Sequence, residues 1–462
     1  MNEKRQPIHP TEAQEQEKNP SAYSALEKKV KSGDLELFFI VSPPRSSSTA
    51  LERALSNSDD ITMQINDPWA LFDDEDRENK TYEYILQKVE SLPPDKRKAK
   101  VLIKNVADYI PPGKGWERQQ ALSKHTIFLV RNPVLSLESL VQVMAKEIDP
   151  QDVLVDSLTM DAFARNKGYK DWKDMQGETT RKRDYRDYED VYKNYFPAEQ
   201  NMNASPIMRL PLLGTTKDTH VQPLGFTNRD EYAQANGYRS WEVLQEGVKE
   251  GSVSLEEFHD LFNQLFLYRL TGWDALGDHM AVTQSTGATY SVVDSTMYRA
   301  QPDSILGSLG LRIGISIGEQ VHNWEGGNKI FSTDYDGEVP YYDKVVSSKG
   351  ITFPTEEPID IDRFPPFLQT HLLGSGGAIS TYLDFLTILV NQGTDAELHT
   401  VLNSNHEGKS ILEIDPLFGY MLVDRVQRSD ASVDDDQLKN KIRNKYPNFL
   451  DIFNKIDAFV RE

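Results

Sequence analysis

LELFFIVSPPRSSSTALERALSNS, residues 35 to 58, constrains the fold more than any other stretch of the chain. Its opening LELFFIV is an apolar run too short for a helix and rich in aromatic and β-branched residues, which predicts a buried strand. Two prolines stop that strand, and the apolar spacing of STALERALSNS then predicts a helix. AKVLIKNV (99–106) and HTIFLVRNP (125–133) repeat the strand texture, and the second leads into the helical pattern VLSLESLVQVM. Strands that alternate with helices are joined by crossovers, so they lie parallel with both faces of the sheet covered. The expected fold class is α/β, a three-layer sandwich with a central parallel sheet plus a helical insertion.

At 462 residues the chain exceeds what one hydrophobic core usually serves. The expected organisation is a flexible N-terminal arm (1–34), the first part of the core (35–144), a mostly helical inserted cap (145–285), the second part of the core (286–355) and a C-terminal helical section (356–462). The cap is set apart by charged and aromatic texture, as in TTRKRDYRDYEDVYKNYF, and ATYSVVDST (288–296) marks the return to strand. A net charge of −21 and a pI of about 4.9 argue against broad binding to nucleic acid or anionic membranes, because the mean field repels phosphate. The absence of cysteine excludes disulfides, thiolate zinc sites and thiol nucleophiles. The N-terminus lacks the apolar stretch of a secretory signal. AISTYLDFLTILV (378–390) is short for a membrane span and carries Asp384, so it is expected to be a buried helix in a cytoplasmic protein.

A strand turning sharply into a helix offers unpaired amides where roughly half a positive charge resides, and anions bind there. In PPRSSST the hydroxyls of Ser46, Ser47, Ser48 and Thr49 add donors and Arg45 adds a fixed positive charge. The alternative is an ordinary loop in which Ser48 caps the helix. A nucleoside triphosphatase loop needs GxxxxGK[ST], which PPRSSST lacks, and an acidic residue ending a neighbouring strand to hold magnesium. HTIFLV ends instead in Arg131, a cation that suits a second phosphate, with Ser139 a further hydroxyl on the helix that follows.

PPRSSSTALERAL, VLIKNVADYI and FLVRNPVLSLESL, in that order and spacing, resemble the P-loop sulfotransferase superfamily, whose sulfuryl donor is 3′-phosphoadenosine-5′-phosphosulfate (PAPS). The resemblance implies a sulfotransferase-like P-loop fold. It assigns Arg45, Ser46, Ser47, Ser48 and Thr49 to the 5′-phosphosulfate, with Ser47 standing where the family often has glycine. It assigns Arg131 and Ser139 to the 3′-phosphate, and makes Lys104 the strand lysine near the transferring group. SVVDSTMYRAQPDSILGSLGLRIG (291–314) and YYDKVVSSKGI (341–351) are similar to later family segments, which brings in Lys349 as a further 3′-phosphate contact.

The implied activity is transfer of a sulfuryl group from PAPS to a hydroxyl or amine of a small-molecule acceptor, with no metal required. Arg45 and Lys104 would stabilise developing charge. Val106 stands where cytosolic animal members carry a histidine base; other members carry a carboxylate after the second strand in a sequence similar to x-E-P, which INDPW (65–69) resembles, and the resemblance makes Asp67 the candidate base, with Asp108 a second. Trp69 is weighed for stacking on adenine against simple core packing. Two other classes stay open: ATP-dependent or amide-forming condensation on the same fold, in which Asp294 would hold magnesium rather than cap a helix, and non-catalytic nucleotide binding.

Overall fold

The computed structural model describes residues 21–72, 76–92, 98–111, 113–147, 157–188, 218–221, 225–249, 252, 271–321, 323–324, 348–374, 377–429 and 435–461. Its centre is a five-stranded sheet in the order β2-β3-β1-β4-β5. The strands are β1 (Leu35–Ser42), β2 (Met63–Asn66), β3 (Ala99–Val106), β4 (Ser123–Val130) and β5 (Tyr290–Asp294). Every pairing is parallel. Leu37, Phe38, Phe39, Ile40 and Val41 of β1 and Ile127, Phe128, Leu129 and Val130 of β4 are all buried, as strands covered on both faces must be.

The topology decides where a ligand can sit. From β1 the chain passes through the helix Ser48–Ser56 to β2 at one edge and returns along β3. It then crosses beyond β1, through the helix Lys114–Leu122, to β4 and finally reaches β5. The chain therefore leaves β1 and β4 toward opposite edges, and in open α/β sheets the crevice outside the carboxyl ends of such a strand pair is where ligands bind.

Helices flank the sheet. Trp116, fully buried on Lys114–Leu122, stacks on His279 of the helix Trp273–Thr286 with ring centroids 4.4 Å apart, and its indole N–H donates to Thr283 at 3.0 Å. Burial holds the His279 imidazole down to about 4, so it packs as a neutral ring whose Nε2 bonds the Ala107 carbonyl. Within the region expected to form a cap, the helices Ser157–Asn166 and Trp172–Lys182 pack together. Arg183, just past the second helix, makes a two-pronged pair with Glu138 at 2.5 Å on each arm, tying it to the helix Pro133–Glu147.

The C-terminal section belongs to the sheet's flank. The helix Ala378–Gln392 packs against β5 through an apolar face that includes Tyr382, Phe385, Leu386 and Leu389, and the Gln392 side chain accepts the Val292 backbone N–H at 3.0 Å. The described chain across Leu368–Gln392 is long and apolar enough to cross a membrane, with a mean hydropathy of 1.3, yet half of that stretch is buried inside the fold. A polar knot fastens this section. The Tyr382 hydroxyl donates to Asp294 (2.9 Å) at the end of β5 and to Asp415 (3.2 Å), while Asn132, just past β4, and Thr296 also donate to Asp415.

Burial and the neighbouring Asp415 push the Asp294 carboxyl up to about 7, and burial raises Asp415 as well. Between the ordinary carboxylate pKa and about 7 the folded chain holds a proton that the unfolded chain releases, so this knot loses stabilising power as pH rises through that window. Denaturant titrations from pH 4 to pH 8 should show a shallower loss in Asp415→Asn than in the wild type. An unchanged slope would mean that the two acids do not titrate together.

Candidate functional site

Parallel pairing of β1 with β4, with Val41 beside Phe128, sets the loop after β1 against Arg131 at the end of β4. The Arg131 side chain is buried, and one of its terminal nitrogens donates to the Arg45 carbonyl at 2.9 Å. Arg45 in turn donates from Nε to the Ser139 hydroxyl at 3.1 Å. Tyr298, buried in the helix Ser295–Ala300 that follows β5, donates to the Ser47 carbonyl at 2.9 Å. Arg45 from one motif and Arg131 and Ser139 from another thus lie together in one cluster.

The loop backbone after β1 is left-handed at two residues. Arg45 (φ 61°) and Ser47 (φ 64°) are both left-handed, whereas Ser46 between them is not and Ser48 begins the helix. Alternation of left- and right-handed residues curls successive N–H groups into a concavity that binds anions. Each left-handed residue with a side chain costs about 1–2 kcal/mol, so the conformation must be held from outside. Arg131 and Tyr298 hold it by gripping the carbonyls of these same two residues. Ser47, rather than Ser48, occupies the cap position of the helix Ser48–Ser56, and its side chain makes no capping bond. The Ser46 hydroxyl is buried with no hydrogen-bond partner among the described residues, as are the Ser42 hydroxyl and the Asn105 amide near the ends of β1 and β3. Gly272 (φ 63°) packs on Pro43 and Pro44; a Cβ there would meet the Pro44 ring at 2.9 Å.

A second cluster lies along β3. Asn66 of β2 registers with Lys104 of β3, so Asp67, one residue on, reaches the Lys104 ammonium: the two pair at 2.5 Å, both buried. The other Asp67 oxygen accepts the Val106 amide at 2.9 Å. Glu52, one turn into the helix Ser48–Ser56, is fully buried nearby. With its amide oriented to donate, Asn66 bridges Glu52 (3.3 Å) and Asp67 (3.2 Å). Burial pushes the Glu52 carboxyl up to about 8, with Lys104 opposing and Asp67 reinforcing the rise. Glu52 is therefore neutral at pH 7, which leaves Lys104 and Asp67 as a balanced pair.

The remaining candidates divide. Asp294 caps the helix Ser295–Ala300 by accepting the Thr296 and Met297 amides. Trp69 is a core residue: it donates to Gln119 at 2.7 Å and packs edge-on against Tyr82. Asp108 is buried in the turn after β3. Thr49 sits half-buried on the first turn of its helix. The Lys349 side chain is exposed and its backbone carbonyl accepts the Trp324 amide at 3.1 Å; among the described contacts, nothing brings it to Arg131. Sequence reasoning missed Glu52, Tyr298, Arg299 and Glu356. Only Glu52 left a trace, as an acid on the apolar side of the first helix.

Two outcomes are expected. Ser47→Gly should leave the loop intact and raise stability by up to about 1 kcal/mol, because glycine adopts the left-handed conformation without strain; a loss measured by denaturant unfolding would contradict the loop geometry. Asp67→Asn should cost about 3–5 kcal/mol by removing one member of a buried ion pair, and adding Lys104→Met should recover much of it. An additive double variant would mean the pair is not coupled. Compared with protein-family models, curated proteins and solved structures, the chain matches none.

Proposed function

We propose that the protein is a sulfotransferase that moves a sulfuryl group from PAPS to a hydroxyl or amine of a small-molecule acceptor. The observation that carries this reading is the curled loop after β1 with a buried cation, Arg131, beside it where a magnesium-binding acid would otherwise stand. Among the described residues the buried Ser46 hydroxyl has no partner, and the left-handed backbone at Ser47 is the one a glycine there would adopt. The residues thus fit a ligand with two anionic groups, one at the loop and one at Arg131.

In the transfer, the acceptor oxygen or nitrogen forms a bond to sulfur while the bond from sulfur to the donor's bridging oxygen breaks, and the acceptor proton passes to a base. Positioning and charge stabilisation supply most of the acceleration for such a reaction. Arg45 neutralises the departing oxygen. Lys104 has two alternative partners: Asp67 at rest and the transferring group during reaction. When Lys104 turns to the latter, Asp67 is released to take the acceptor's proton. Loss of either cation should lower kcat by about 100- to 1000-fold.

ATP-dependent condensation is the second reading, and it would ask Asp294 to hold magnesium. Both Asp294 oxygens are committed, one to the Thr296 and Met297 amides and the other to Tyr382.

The discriminating measurement is thermal stabilisation by adenosine 3′,5′-bisphosphate against ATP with magnesium. The bisphosphate should stabilise the fold more, by about 2.7 kcal/mol at one hundred times its Kd. Equal shifts, or none with folded protein, would sink the reading. Arg131→Ala should erase the preference and also lower Tm, because Arg131 braces the loop.

A further inference from the structure

Arg131 is not the sole cation at this end of the sheet. Arg299, on the helix Ser295–Ala300, faces the same carboxylate: Glu356 lies 3.4 Å from Arg299 and 3.9 Å from Arg131. Both arginine side chains are largely buried, 8% and 11% exposed, while Glu356 is 44% exposed. Well-made arginine–carboxylate bonds run at about 2.7–2.9 Å. The same molecule makes a close one between Arg183 and Glu138, at 2.5 Å on both arms. Glu356 therefore only partly fills the space between two buried guanidinium groups.

The backbone around Glu356 is fastened mainly by other side chains, although the Glu356 carboxylate also accepts the Thr355 amide at 3.1 Å. Arg299 donates to the Thr352 and Phe353 carbonyls, Lys409 to the Thr355 carbonyl and Arg183 to the Glu357 carbonyl. Those four bonds hold the strap from Thr352 to Glu357 when the carboxylate moves, and its departure costs only its own bond from the Thr355 amide and its two arginine contacts. Burial works to raise its carboxyl, but Arg299, Arg131 and the backbone amides of Glu356 and Thr355 overcome that and hold it down to about 2, so it is a full anion at every physiological pH.

We propose that Arg131 and Arg299 together form the seat of a phosphate monoester, and that the Glu356 carboxylate is a built-in competitor that occupies this seat until the ligand's phosphate displaces it. This deepens the sulfotransferase reading, since it adds Arg299 to the 3′-phosphate contacts and makes Glu356 the group that ligand must evict. A dianionic phosphate brings three acceptor oxygens and more charge than the carboxylate. Without a ligand, Glu356 keeps two buried cations from facing each other uncompensated.

Calorimetric titration of wild type, Glu356→Gln and Arg299→Gln with adenosine 3′,5′-bisphosphate and adenosine 5′-phosphate tests this. Glu356→Gln should bind the bisphosphate about 5-fold tighter and adenosine 5′-phosphate unchanged, whereas Arg299→Gln should bind the bisphosphate about 10-fold more weakly. Unchanged or weakened bisphosphate binding in folded Glu356→Gln would overturn the proposal. Should neither nucleotide bind any of the three, the sulfotransferase reading fails by itself, and inorganic phosphate becomes the probe. A larger phosphate-induced rise in Tm for Glu356→Gln than for wild type then upholds the competitor, and an equal rise refutes it. Where Glu356→Gln folds poorly, Glu356→Asp, which retracts the carboxylate by one methylene, should show the same tightening on a smaller scale; destabilisation that phosphate does not relieve in either variant would make Glu356 a structural ion pair only.

Discussion

The hydrogen bond from Arg131 to the carbonyl of Arg45, beside that from Arg45 to Ser139, joins the two halves of this site. It exists because β1 and β4 are parallel neighbours whose carboxyl ends finish side by side. The bond does two things at once. It settles part of the hydrogen-bonding need of a buried guanidinium, and it holds a left-handed residue that the unsupported chain would abandon. Tyr298 repeats the device at Ser47, from an element that enters the sheet far later in the chain. The loop's shape is thus a tertiary property, imposed by β4 and by the helix after β5.

Charge is arranged against the average. The chain carries −21 overall, yet Arg45, Arg131 and Arg299 converge on one end of the sheet. Long-range fields decide encounters with large polyanions, while buried cations a few ångströms apart decide what a small anion feels. The acids near this end are engaged: Asp67 with Lys104, Glu356 with its two arginines, Asp294 and Asp415 in the knot with Tyr382. Glu52 is neutral at pH 7 because its burial, reinforced by Asp67, outweighs the opposing pull of Lys104.

Much of the α/β frame was legible because strands buried on both faces read as continuous apolar runs; LELFFIV and AKVLIKNV coincide with β1 and β3 almost residue for residue. MQIN is too short and too polar to announce β2 by pattern, and only the parallel register with β3 makes it a strand. The meeting of Arg45, Arg131 and Ser139 could be anticipated from ordered motifs. The pairing of Asp67 with Lys104 needed the register. Arg299 and Glu356 are separated by more than fifty residues and no motif pairs them, so their contact follows from how the chain returns over the sheet. The left-handed serine was illegible for a related reason: serine has no local preference for that conformation, and the braces come from elsewhere.

The hydrogen bond between Gln392 and the Val292 amide carries a consequence for assembly. β5 ends the sheet, and an exposed terminal strand offers its backbone as a template for any extended chain that meets it. Here a side chain from the overlying helix has taken up one of those amides at mid-strand. A sixth strand, from another copy or from a misfolded neighbour, could dock along β5 only by evicting that glutamine. The C-terminal section that fastens itself to the sheet through Asp415 and Tyr382 therefore also acts as its selvedge.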